Sequence, residues 1–121
     1  MRILVPLAFW CSLAGLTLAS LVPVELLPPQ TLDIWDKAQH AAGFAWLAVL
    51  GLWAYPRRAP AVVAGLIAWG GLIELMQMAT GWRYGEWIDW LADAIGVGAV
   101  WLAWRLLPQH WTGRRPEGAR A

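Results

Sequence analysis

Four long apolar runs divide this chain, and each is close to the length that crosses a lipid bilayer: residues 3–22, 38–55, 60–79 and 87–107. A hydrocarbon core takes roughly 20 helical residues. None of the runs alternates with period two, as a half-buried strand would. In lipid, only a helix or a closed barrel satisfies every backbone N–H and C=O. The expectation is therefore an all-α polytopic membrane protein, a four-transmembrane-helix bundle in one domain. Composition agrees: 60% of residues are hydrophobic and 14% charged, against about 45–50% and about 25% in soluble domains. Eleven tryptophans suit a chain with several helix ends at the headgroup layer.

The breaks between the runs carry turn chemistry. Pro23, Pro28 and Pro29 close the first run, Pro56-Arg57-Arg58-Ala59-Pro60 makes a tight hairpin, Gly81 and Gly85 bracket the third connection, and Pro108 ends the fourth run. Proline removes a donor and pushes the preceding residue out of the α region.

Charge then orients the spans. Arg2, Arg57, Arg58, Arg105, Arg114, Arg115 and Arg120 fall on one side of a four-span chain. Glu25, Asp33, Asp36, Lys37, Arg83, Glu86 and Asp89 fall on the other. Basic loops stay in the cytoplasm, so both termini are expected inside (N-in/C-in), residues 108–121 form a basic cytoplasmic tail, and the protein is a multi-pass component of the inner, cytoplasmic membrane. A cleaved signal peptide ending near Thr17-Leu18-Ala19 is an alternative for the first run, and leaves the orientation of the rest unchanged. A lipoprotein site at Cys11 is disfavoured by the bulk of Phe9 and Trp10. With one cysteine there is no intrachain disulfide, and a net charge of +1 without a basic tract argues against nucleic acid.

Ionisable residues inside apolar spans mark function by default. On the second helix Asp36, Lys37, His40 and Phe44 share one face; the third carries Glu74 and Gln77 a turn apart; the fourth carries Asp89 and Asp93 at i, i+4 with Gly96 beyond. Arg83 lies in the loop between the last two. At 1.5 Å per residue, His40, Glu74 and Asp93 come to one level, roughly 5–10 Å below the outer boundary. Gly70, Gly71, Ala92 and Gly96 leave room for close helix approach. These residues predict a polar, partly hydrated pocket open to the outside and walled by the second, third and fourth helices. A purely structural ion-pair network competes with that reading.

In these same residues the chain resembles the VanZ-like family of small membrane proteins. The resemblance lies in DKAQHAAGF (36–44), GGLIELMQ (70–77) and RYGEWIDWLADAIGVG (83–98). Asp36, Lys37, His40, Glu74, Gln77, Arg83, Asp89 and Gly96 follow the family pattern. Asp93 departs from it, since many members carry Asn there. The resemblance implies an envelope protein, in a family named for a member linked to low-level resistance to the glycopeptide teicoplanin; resistance itself does not transfer with it.

The leading expectation is an outward pocket that binds a polar or anionic envelope component, a lipid headgroup or cell-wall precursor, with Lys37, His40 and Arg83 as the cationic side. One alternative is a membrane enzyme using His40 with Glu74 or Asp93 as acid–base pair or metal ligands, although no Ser or Cys nucleophile stands in the cluster. Another is a scaffold that recruits partner proteins. Ion transport is disfavoured because the cytoplasmic halves of the helices lack a polar path. The reading leans away from catalysis, assigns no catalytic residue, resident metal or cofactor, has the lipid bilayer as its partner, and sets no oligomeric state.

Overall fold

A computed structural model describes residues 3–26 and 33–112. It is all-helical, with no strand among the described residues. Helix α1 spans Leu4–Leu21, α2 Asp33–Ala54, α3 Ala59–Thr80 and α4 Trp87–Leu106; a short α5, Gln109–Thr112, follows, and 3-10 turns occupy Val24–Leu26 and Pro56–Arg58.

Three of the long helices stop at the residue before a proline. Val22 (φ −62°, ψ 137°) precedes Pro23, and Leu107 (φ −69°, ψ 145°) precedes Pro108. Tyr55 (φ −132°, ψ 56°) precedes Pro56. The proline ring clashes with a helical residue before it, so each helix ends there. Helix α3 stops on Gly81 instead, at φ 78°, the left-handed position that closes a helix and suits a residue without Cβ. Pro6 and Pro60 lie in first turns, where the missing N–H has no intrahelical acceptor to lose.

Paired residues give the helix directions. Ser12 meets Trp46 while Leu16 lies against Gly43, so α1 and α2 are antiparallel. Lys37 with Asp89 and His40 with Asp93 advance together, so α2 and α4 are parallel. Glu74 meets Glu86 while Ile67 meets Trp90, so α3 and α4 are antiparallel. The most extensive interface joins α2 to α4, and α1 lies against α2 and α3. A Cβ on Gly96 would collide with the Ala41 carbonyl, so α2 and α4 approach to backbone contact. Phe44, Leu47, Ile73 and Val97 fill the centre, with Phe9 and Leu13 closing it from α1. A smaller cluster of Leu52, Ala59 and Trp104 packs at the arginine-bearing end.

The exterior is apolar as well: Leu7, Leu18, Trp53, Leu75 and Leu102 are all exposed. Two stretches, Leu4–Leu21 and Pro56–Thr80, are long and apolar enough to cross a membrane by length and composition. Helices α2 and α4 are diluted by ionisable residues near their starts.

Helix bounds differ from the sequence expectation chiefly in α2, which begins at Asp33 rather than at residue 38. A hydropathy edge marks a change of environment, whereas the hydrogen-bond ladder of a helix continues through polar residues. The expected tail, 108–121, opens with α5. Arg2, Arg114, Arg115 and Arg120 lie outside the described residues.

Candidate functional site

The C-terminal ends of α1 and α3 and the N-terminal ends of α2 and α4 gather at one end of the molecule. Gln77 on α3 donates through Nε2 to the Ser20 carbonyl (2.9 Å), and Trp82 Nε1 donates to the Leu21 carbonyl (3.1 Å). The ionisable residues singled out above are concentrated at this end.

Parallel packing of α2 and α4 puts residues with similar advance side by side. Lys37 Nζ lies 3.3 Å from Asp89 Oδ1 and 3.4 Å from Glu86 Oε2. One turn deeper, His40 Nδ1 lies 3.1 Å from Asp93 Oδ1. Asp93 is wholly buried and fits only because Gly70 stands opposite: a Cβ there would lie 2.9 Å from Asp93 Oδ2. Gly71 lies against Trp90, whose Nε1 donates to the Ile67 carbonyl at 2.8 Å. Ala92 is half-buried on α4.

Glu74 enters from α3. Its Oε2 accepts the backbone N–H of Glu86 at 2.8 Å, one of the donors at a helix start that have no partner within the helix. Gly85 makes this possible, since a Cβ there would strike the Glu74 carbonyl. Glu74 thereby fixes where α4 begins.

These bonds leave several buried oxygens over. Glu74 Oε1 and Asp93 Oδ2 have no hydrogen-bond partner, and neither has Gln77 Oε1. Asp89 Oδ1 is close enough to Lys37 for an ion pair but is not oriented to accept a hydrogen bond from it. Native proteins pair most buried polar atoms, so three carboxylate oxygens in one cluster are notable. Four carboxylates, on Glu74, Glu86, Asp89 and Asp93, share the site with Lys37 and His40. A ring nitrogen of His40 and one oxygen each of Glu74 and Asp89 all lie within 4.8 Å of one another.

Not every residue expected here takes part. Gln77 is turned to α1 by its bond to Ser20 and ties two helices together. Arg83 is half-buried in the α3–α4 loop and makes no ion pair with the cluster among the described residues. Asp36 is on α2, and its side chain lies outside the described residues. Glu86, absent from the expected set, is a full member. It stands three residues before Asp89 and seven before Asp93, but as the extended residue just ahead of α4 it carries no helical-face signal of its own in the sequence.

A cleft of about 700 Å³ runs between α3 and α4, walled by Leu72, Leu75, Met78, Trp87 and Trp90, with Glu74 in its lining. Direct side-chain contacts bring α2 and α4 together beside it. Comparison with protein-family models, curated proteins and solved structures finds no match for this chain.

Proposed function

We propose that this chain is an integral protein of the cytoplasmic membrane that crosses it four times, with both termini inside, and that its outer end recognises the polar headgroup of an envelope lipid or lipid-linked envelope precursor. The membrane reading is supported by the surface. Of the two most apolar helical stretches, only 11% and 28% is buried inside the molecule, the reverse of a core helix in a water-soluble protein. Helices α2 and α4 flank them at matching length, and their charged starts all lie at one end, on the side opposite Arg57 and Arg58. Positive-inside bias makes that end extracytoplasmic. Membership of the VanZ-like family belongs to the same proposal, and a role in glycopeptide resistance or envelope homeostasis follows from that resemblance alone.

One observation carries the headgroup reading: an apolar-walled cleft between α3 and α4 leads to Glu74, a member of the buried carboxylate–histidine cluster. An acyl chain matches the leucine and tryptophan walls, and a polar head matches the end of the cleft. The charge balance narrows the head. Carboxylates outnumber cations, and Lys37 is engaged by Glu86 and Asp89. A head that brings a positive charge, or reaches the carboxylates through a cation, is favoured over a bare anion.

The test is lipid retention by the full chain, purified in mild detergent and read by native mass spectrometry. Leu75→Trp, which fills the cleft, should remove co-purifying lipid, while Leu102→Trp on an exposed face of α4 should not. Equal retention by two folded variants would refute the headgroup reading.

A further inference from the structure

The cluster offers more buried ligating atoms than its hydrogen bonds use. Glu74 spends Oε2 on the Glu86 N–H and keeps Oε1, in a residue only 5% exposed. Asp89, also 5% exposed, presents Oδ1 without a hydrogen bond. A ring nitrogen of His40 and one carboxylate oxygen each of Glu74 and Asp89 lie within 4.8 Å of one another. We propose that His40, Glu74 and Asp89 bind one divalent cation, with Asp93 positioning His40 from behind. The inference deepens the headgroup reading and rests on the same cluster, since a bound cation is what would join these carboxylates to a phosphate-bearing head.

The geometry suits the chemistry. Ligands 2.0–2.2 Å from a tetrahedral metal stand about 3.5 Å from one another, so the widest pair of donors has at most about 1.3 Å to close. One imidazole with two carboxylates is a borderline-to-hard donor set, which fits Zn²⁺ or Mn²⁺ rather than a thiophilic ion. Three protein ligands leave at least one coordination position for water or a phosphate oxygen. Asp93 Oδ1 holds His40 Nδ1 at 3.1 Å, the carboxylate–histidine pairing that fixes a ligating ring's tautomer and raises its basicity; in the proposed site the metal would be taken by Nε2.

Lys37 is the competitor. Its ammonium lies 3.3 Å from Asp89 Oδ1, where a metal would also draw that oxygen, but it has a second carboxylate, Glu86, at 3.4 Å. When Asp89 turns to the cation, Lys37 stays tethered to Glu86. Among the described residues, the charged groups facing the site are Glu74 from α3, Lys37 and His40 from α2, Asp89 and Asp93 from α4, and Glu86 at its start.

The experiment uses the full chain in detergent, purified without a histidine tag, stripped with chelator and titrated with Co²⁺, Zn²⁺ and Mn²⁺. Co²⁺ absorption reports the ligand set and Zn²⁺ competition the affinity. One metal per chain is expected. His40→Ala and Glu74→Gln should abolish stoichiometric binding; Glu74→Gln retains an acceptor for the Glu86 N–H, so it tests ligation in a folded protein. Asp93→Asn should weaken binding by roughly 10–100-fold, as for loss of an outer-shell partner. Lys37→Gln should tighten it, an effect that a purely structural ion-pair network does not produce. No stoichiometric binding at millimolar metal, or equal affinity in wild type, His40→Ala and Glu74→Gln, would overturn the inference. Lipid retention by metal-free protein separates the two proposals: lipid held with no metal site overturns this one alone, and metal held with no selected lipid overturns the headgroup reading alone.

Discussion

Glu74 holds the start of α4 through a single accepted hydrogen bond, and that bond has a measurable weight. Glu74→Ala removes the carboxylate that accepts the Glu86 N–H, and a hydrogen bond to a charged group is worth about 1.5–3 kcal/mol. Glu74→Gln keeps an acceptor in place and should retain most of that stability. Unfolding of the two variants in mixed micelles tests this, and equal losses would show that the bond is not what Glu74 contributes. His40 and Asp93 form the deeper pair, and Asp93 has no exposure at all. His40→Ala strands a buried carboxylate and should destabilise by about 3–5 kcal/mol. Asp93→Asn removes the charge while keeping a group that bonds to the ring, and should cost less than about 1.5 kcal/mol. The same unfolding assay ranks them, and a larger loss for Asp93→Asn would contradict the geometry.

Between elements, the α2–α4 interface depends on a glycine. The Ala41 carbonyl occupies the space a Cβ would need at Gly96, whereas Gly98, two residues on, has nothing within 4 Å of that position. Gly96→Ala should cost about 1–3 kcal/mol through overpacking, while Gly98→Ala should be neutral or stabilising by about 0.5–1 kcal/mol from helix propensity. Matched melting curves decide it, and similar losses would mean that helix spacing is not set at residue 96. Much of this scale was legible beforehand. Proline steric effects are local, so the ends at Val22, Tyr55 and Leu107 followed from Pro23, Pro56 and Pro108. Helical periodicity put Lys37 with His40 on one face and Asp89 with Asp93 on another, and the common level of His40, Glu74 and Asp93 brought the polar residues of three helices together. Three things were not legible. Gln77 bonds to the Ser20 carbonyl, and a backbone acceptor leaves no mark in side-chain identity. Glu86 stands just outside its helix, where a charge reads as loop. The cleft between α3 and α4 depends on helix rotation, and helices apolar on every side carry no amphipathic stripe from which rotation can be read.

For the whole molecule, the open contrast is between four crossings and two. Among the described residues, α1 and the stretch through α3 are the ones that pass on length and apolarity alone. If α2 and α4 also cross, the polar cluster is sealed at the outer end of the bundle, where its carboxylates meet headgroups and external cations; if they do not, that cluster lies elsewhere. Glu25, Arg58 and Tyr84 are exposed positions on successive connections, and they separate the possibilities. In a Cys11→Ser background, single cysteines at these positions can be treated in intact cells with a thiol reagent that does not permeate membranes. Four crossings predict labelling at 25 and 84 from outside, and at 58 only after permeabilisation. Labelling at 25 and 58 but not 84, or at 84 alone, would mean that only α1 and α3 cross, and would contradict an outward-facing site built by α2, α3 and α4.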